Sequence, residues 1–181
     1  LRSHGSIKVD FHYHEFCKLL LLVSGQGSYY IDGQHYLLHS GDIVLVGSHC
    51  IHKPEMEDSP AYERIILYVS PDYLTQLSAA DCDLLALFSG TNSHVFRPQE
   101  QQRKRIFQLA SQLEQDLSQE GFGRELLSSA SLTRLLVTLM RFLSQREDNQ
   151  PSPLMPESQR NYEIMRYLDA HLQEEVNIDS L

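Results

Sequence analysis

Up to about residue 70 the chain is a series of short apolar or alternating segments separated by turn-forming residues: Gly25-Gln26-Gly27, Asp32-Gly33, Ser40-Gly41-Asp42 and Asp58-Ser59-Pro60. Short strands at such regular spacing predict a β-sandwich or barrel. Tyr29-Tyr30-Ile31 and the segment from Gln34 to Leu38 flank Asp32-Gly33 and predict a hairpin, because Asp-Gly favours the tight turn whose twist matches its strands. Ile43 to Val46 is continuously apolar, as expected of a strand covered on both faces. Tyr62 to Val69, rich in aromatic and β-branched residues, is the last clear strand.

After Ser70-Pro71 the periodicity becomes helical. Short helices are predicted around Asp72 to Leu77 and Asp81 to Phe88. A longer one places Ile106, Leu109, Ala110, Leu113 and Leu117 on one face. Gly121-Phe122-Gly123 breaks it, and a fourth runs from Arg124 to Gln145, so the pair predicts an antiparallel helical hairpin. The apolar face of this fourth helix is wider than one barrel edge requires. Leu132, Leu135, Leu136, Leu139, Met140 and Leu143 are therefore predicted to meet their counterparts in a homodimer.

Residues 147–158 carry three prolines among polar residues and read as a linker. Beyond it Ile164, Tyr167, Leu168 and Leu172 share a helical face, and Asn177 or Asp179 is placed to cap a further helix. The expected organisation is a β-domain with short helices over 1–97, a helical hairpin over 98–147, a linker over 148–160, and the opening of a second domain, cut short, over 161–181.

Composition narrows the function classes. The chain has 181 residues, 41% of them hydrophobic, and a formal net charge of -9, so it lacks the basic field that nucleic-acid binding requires. Any DNA contact has to come from residues beyond it. No run of about eighteen apolar residues and no amino-terminal signal-like segment occurs, which predicts a cytoplasmic protein without membrane contact. Three cysteines without C-x-x-C spacing suggest buried thiols rather than disulfides or a thiolate metal knot.

The chemically suggestive stretch runs from Phe11 to Gly27. In an extended segment His12, His14, Phe16 and Lys18 share one face, and His49 and His52 follow the Gly41-Asp42 turn. Three imidazoles from two strands can surround one metal ion, although nine histidines in the chain make the spacing a weak signal by itself. Lys18 opposes a dication. A buried ammonium requires a hydroxyl, a carboxylate or a bound ligand; an ammonium at the rim reaches water. Tyr62, Arg64, Ile66 and Tyr68 share a face that is either interior, where Arg64 contacts a ligand, or exterior. Tyr30 and Tyr36 are candidate stacking platforms at a barrel mouth.

The run from His12 to His52 resembles the two motifs of the cupin superfamily. His12, His14, Gly25, Gly41, Asp42 and His52 fit that pattern, while Lys18 stands where the family has a glutamate and Gly47 where a proline is common. The resemblance implies a mainly β protein with α, a cupin-like double-stranded β-barrel or jelly roll followed by the helical hairpin. Together with LVSGQGSYYIDG, LHSGDIVLVGSHCIH, YERIILYVSPDYL and the segment from Tyr162 to Leu181, the order of parts resembles AraC-type transcription regulators. That likeness implies a non-enzymatic sensing and dimerisation domain that binds a small molecule, such as a sugar or related metabolite. It further implies DNA binding through a carboxy-terminal helix-turn-helix domain. The ligand set it suggests is His12, His14, Lys18 and His52, with Tyr30, Tyr36 and Arg64, and neither metal nor cofactor. The competing expectations are a metal-dependent cupin dioxygenase or isomerase using His12, His14 and His52, and a ligand-free dimerisation module.

Overall fold

Asp32 and Gly33 both adopt left-handed backbone, with φ of 46° and 74°. This turn joins β3 (Gln26–Ile31) to β4 (Gln34–His39) and fixes their register, so that Tyr29 lies opposite Tyr36 and Tyr30 opposite His35. Directly opposed residues share a face. Tyr29, Ile31, Tyr36 and Leu38 accordingly turn inward and are buried, while Tyr30 and His35 lie on the other side. The structure, a computed structural model, describes residues 2–4, 9–56, 62–89 and 94–145. The Asp58-Ser59-Pro60 turn, the linker and the segment over 161–181 lie outside the described residues.

The strands form two sheets. β3 is flanked by β4 and by β6 (His52–Met56). The second sheet has the order β1 (Arg2–His4), β7 (Glu63–Val69), β2 (Cys17–Ser24), β5 (Ile43–Val46) and β8 (Val95–Phe96). Leu20, Leu22, Val44 and Val46 face the three-stranded sheet and enclose the barrel interior with Tyr29, Tyr36 and Tyr62. Leu19, Leu21, Ile43, Leu45, Ile65 and Leu67 point the opposite way, into a second core under the helices. Both faces of β5 are thus covered, as its unbroken apolar sequence predicts.

Gly25, with φ of 102°, sits at the tight corner between β2 and β3, where an added Cβ would lie only 3.0 Å from the Tyr62 ring and 3.2 Å from the Tyr62 Cα. Only glycine satisfies both the backbone and the space there.

The helical layer comprises α1 (Pro71–Leu77), α2 (Glu100–Ser118) and α3 (Arg124–Ser144), the last two forming an antiparallel hairpin. Three expectations are corrected by the packing. The segment from Asp81 to Phe88 is helical only as a 3-10 turn over Leu85–Phe88. Ala79 and Cys82 instead form a tight backbone bridge, and the Ser78 and Asp83 side chains accept the Leu84 and Leu85 amides that would have nucleated a helix. His12 to Phe16 is not a continuation of β2, which begins at Cys17; only an isolated backbone bridge joins His12 to His52.

The third correction concerns α3. Leu132, Leu135, Leu136 and Leu139 pack into the core beneath the five-stranded sheet, with Met140 and Leu143 half-buried against it, so this stripe is occupied within the chain itself. Each leucine so buried contributes about 1.5–3 kcal/mol. By length and composition α3 could cross a membrane, but Leu135, Leu136 and Leu139 are fully enclosed by the sheet and α2. The large apolar residues that α3 and its approach leave exposed are Phe122, Leu126 and Leu127.

Candidate functional site

The amino-terminal segment is held to the β6 approach by backbone pairing. His12 and His52 exchange hydrogen bonds of 3.1 and 2.9 Å, and the His49 amide donates to the His14 carbonyl at 2.8 Å. This clamps three imidazoles together. The ring centres of His12 and His14 lie 4.2 and 4.7 Å from that of His52, and 6.3 Å from each other.

Each ring is oriented through Nδ1, which lies at hydrogen-bonding distance from a backbone carbonyl two residues away: His12 to Asp10 at 2.8 Å, His14 to Phe16 at 2.6 Å, and His52 to Cys50 at 2.9 Å. A carbonyl only accepts, so Nδ1 carries the proton and Nε2 the lone pair. The Nε2 atoms of His14 and His52 are buried and make no hydrogen bond. Burial lowers the pKa of both rings, and the Lys18 charge lowers it further, against the partial opposition of the carbonyl bonds; His52 falls to about 3. Both are neutral at pH 7 and present acceptors to the interior.

Lys18 enters from the first turn of β2 and is 7% exposed. Its ammonium donates a 2.8 Å hydrogen bond to the Tyr29 hydroxyl, and burial followed by the nearby Arg64 charge lowers its pKa to about 8. It remains mostly protonated at pH 7. Burial also pushes the Tyr29 phenol upward, so it stays un-ionised. The pairing of β2 with β7 sets Lys18 opposite Tyr68, Leu20 opposite Ile66 and Leu22 opposite Arg64. Arg64 therefore faces the interior, not the outer surface, and donates to the Tyr62 hydroxyl at 2.9 Å. Tyr68, 59% exposed, and Phe16 pack edge to face beside His14 at the solvent side of this group.

The structure thus gathers His12, His14, Lys18, His52 and Arg64 around one interior. It does not bring Tyr30 there: that ring stacks on His35 and meets Phe11 on the outer face. Tyr36 points inward but is fully buried, with its hydroxyl on Gln34, away from Lys18. Tyr29 occupies the position the sequence reading gave to its neighbours. The hairpin register held that signal, since a two-residue Asp-Gly turn pairs Tyr29 with Tyr36 and so excludes Tyr30 and Tyr36 from sharing a face.

The tautomers of the three histidines would suit metal ligation. The charge does not, because a buried ammonium stands in place of a fourth, anionic ligand and already lowers the basicity of two of the rings. This donor set does not fit a resident dication.

The burial of neutral His52 has a measurable consequence. Its folded-state pKa lies below its unfolded value, so the unfolded chain binds the extra proton between about pH 6.5 and 3, and stability falls as pH drops through that window. Urea unfolding should show about 2 kcal/mol lost through this group between pH 6.5 and 5. His52→Gln should flatten the slope by that amount; an unchanged slope would show that the ring titrates freely.

Comparison with known proteins adds independent evidence. The HTH-type transcriptional activator RhaS of Shigella sonnei (strain Ss046) is 28% identical over 176 residues, covering 96% of this chain and 61% of the relative. RhaS of Escherichia coli (strain K12 / DH10B) matches with the same identity and coverage. The chain therefore spans about three-fifths of the length of these relatives. Among solved structures, the AraC-like transcriptional activator CuxR superposes with a TM-score of 0.52 at 12% identity, covering 92% of this chain and 55% of that one, a likeness of fold. The architecture is cupin-like, with the helical hairpin appended. The family model described as the AraC-like ligand binding domain matches residues 5–136, and the chain belongs to that family.

Proposed function

We propose that this chain is the effector-sensing part of an AraC-type transcription regulator and is not an enzyme. A small molecule binds in the barrel interior and thereby controls DNA binding by a carboxy-terminal domain beginning near residue 161. The observation that carries this reading is Lys18, a buried ammonium held by Tyr29 beside Arg64, with the unsatisfied Nε2 acceptors of His14 and His52 in the same interior. Two cations and two acceptors suit a hydroxylated or anionic ligand, such as a sugar or a sugar acid, whose hydroxyls donate to the imidazoles while its oxygens accept from Lys18 and Arg64.

The names of the RhaS relatives, and their greater length, support the regulatory role and the DNA-binding partner. The organisation we propose keeps a barrel unit over 1–97, a helical hairpin over 98–147, a linker over 148–160 and the start of the DNA-binding unit over 161–181, in a cytoplasmic protein. For the ligand to act as a switch it has to bind two arrangements of barrel and hairpin with different affinity. A homodimer formed at this face would draw on Phe122, Leu126 and Leu127 with the half-buried Met140 and Leu143, since the central leucines are consumed by the core.

A thermal-shift screen of sugars, sugar acids and carboxylates tests the assignment. At least one class should raise the melting temperature, and His14→Ala and Tyr29→Phe should each reduce the shift. Stabilisation indifferent to Lys18 and His14 would place the ligand elsewhere.

A further inference from the structure

A second constellation lies apart from the histidine cluster. Asp32 in the β3–β4 turn, Cys50 in the β5–β6 loop and His94 just before β8 bring a carboxylate oxygen, a sulfur and an imidazole nitrogen within 4.8 Å of one another. Cys50 and His94 are buried, and Asp32 is half-exposed. The three flank a cavity of about 290 Å³ that Cys17 and Ser48 also line. All three cysteines are thiols rather than disulfides.

The polarity of this group is unusual. His94 Nδ1 lies 3.2 Å from the Leu45 carbonyl and donates to it, so Nε2 carries a lone pair. That lone pair faces Asp32 Oδ2 at 3.8 Å. This is too long for a hydrogen bond, so neither atom satisfies the other directly. A metal cation between them would bridge both. Two nitrogen or oxygen ligands about 2 Å from a tetrahedral ion stand about 3.3 Å apart, so this pair closes by about half an ångström, and the Cys50 sulfur, within 4.8 Å of both, closes by up to about 1.2 Å.

The backbone already holds the three segments in place. The Asp32 amide donates to the Ile51 carbonyl at 2.9 Å, and the Leu45 amide to the His94 carbonyl at 2.8 Å. Gly47 lets the β5–β6 loop approach the 3-10 turn so closely that an added Cβ would meet the Phe88 carbonyl oxygen at 2.7 Å. The donors therefore sit on elements fixed by contacts of their own.

We infer that Asp32, Cys50 and His94 form a binding site for a borderline divalent ion of the zinc type, with its fourth position opening on the cavity. One thiolate, one imidazole and one carboxylate favour zinc or cobalt over magnesium or calcium, which take oxygen ligands. Binding replaces the Cys50 thiol proton with the metal and releases that proton to solvent, so affinity rises with pH. The ion joins the hairpin turn of one sheet to the segment entering the edge strand of the other. It braces the barrel where Leu85 and Phe88 meet the helical layer. The site shares no side chain with the effector site, although the Cys50 carbonyl accepts the hydrogen bond that orients His52.

The test is titration of the chelator-treated chain with cobalt(II), followed by displacement with zinc. One cobalt per chain is expected, with a thiolate-to-cobalt charge-transfer band, release of one proton, and a rise in melting temperature with metal concentration. Cys50→Ser should abolish the band, and Cys82→Ser should leave it intact. Asp32→Asn keeps a residue suited to the left-handed turn and should weaken binding by at least about tenfold without unfolding the chain. Cobalt bound without a thiolate band, a band that survives Cys50→Ser, unchanged affinity in Asp32→Asn, or no binding at all would each overturn the site.

Discussion

Lys18→Met should make the chain more stable and deprive it of its ligand response. The ammonium pKa falls from 10.5 to about 8 because burial, reinforced by Arg64, disfavours the charged form. At pH 7 this difference corresponds to about 3 kcal/mol held against folding. Methionine of similar length removes that cost and leaves Tyr29 without its donor, a loss of about 1 kcal/mol. The net expectation is a gain of roughly 1–2 kcal/mol, or several degrees in melting temperature. The pH profile checks the cause. Between about pH 8 and 10.5 the unfolded chain binds more protons than the folded one, so wild-type stability should climb through that window and level off above it. Lys18→Met should lack the climb. A residue that destabilises its own fold is what a binding site under functional demand would contain. Destabilisation by Lys18→Met, measured by urea unfolding at pH 7, would instead make the lysine a structural member of the barrel.

Asp42→Ala should be among the most damaging single substitutions in the barrel. Asp42 is 1% exposed and accepts hydrogen bonds from the His39 amide at 2.9 Å and from Arg97 Nε and Nη2 at 2.8 and 2.7 Å. Arg97 in turn has its pKa raised by this carboxylate and lies against the His39 ring. Removing the carboxylate leaves an amide and a guanidinium facing a vacated buried site. Breaking such a pair from one side costs about 3 kcal/mol, the lower end of the range because Arg97 reaches solvent. The turn after β4 and the approach to α2 should loosen together, since Arg97 lies in the short segment between β8 and α2. Denaturant unfolding of Asp42→Ala and Arg97→Met reads both. The arginine substitution should cost at least as much, because it strands a carboxylate that is 1% exposed, whereas the guanidinium left by Asp42→Ala reaches solvent.

Much of this was legible in the residues. Asp32-Gly33 specified its hairpin because few dipeptides accept two left-handed conformations in succession, and the helical periods of α2 and α3 matched their packed faces. Lys18 and the histidines could be singled out because charged and titratable side chains inside an apolar pattern are costly without partners. Register was not legible from composition. The residues alone point to Tyr30 where Tyr29 stands, and the face of Arg64 follows only from the pairing of β7 with β2. The α3 stripe is wider than one barrel edge requires because it serves the sheet and α2 together. Asp32, Cys50 and His94 leave no signal in the sequence because they come from three distant loops with no local spacing. Nothing short of the folded topology brings them together.

The central claim is that the barrel interior around Lys18 is an effector site. Calorimetric titration of the best stabilising sugar, sugar acid or carboxylate into wild type and Lys18→Met, at pH 7 and pH 9.5, tests it most directly. Binding to wild type should weaken by at least about tenfold at pH 9.5, where Lys18 has lost its proton, and Lys18→Met should bind little at either pH. Equal affinity of wild type and Lys18→Met at pH 7 would contradict it.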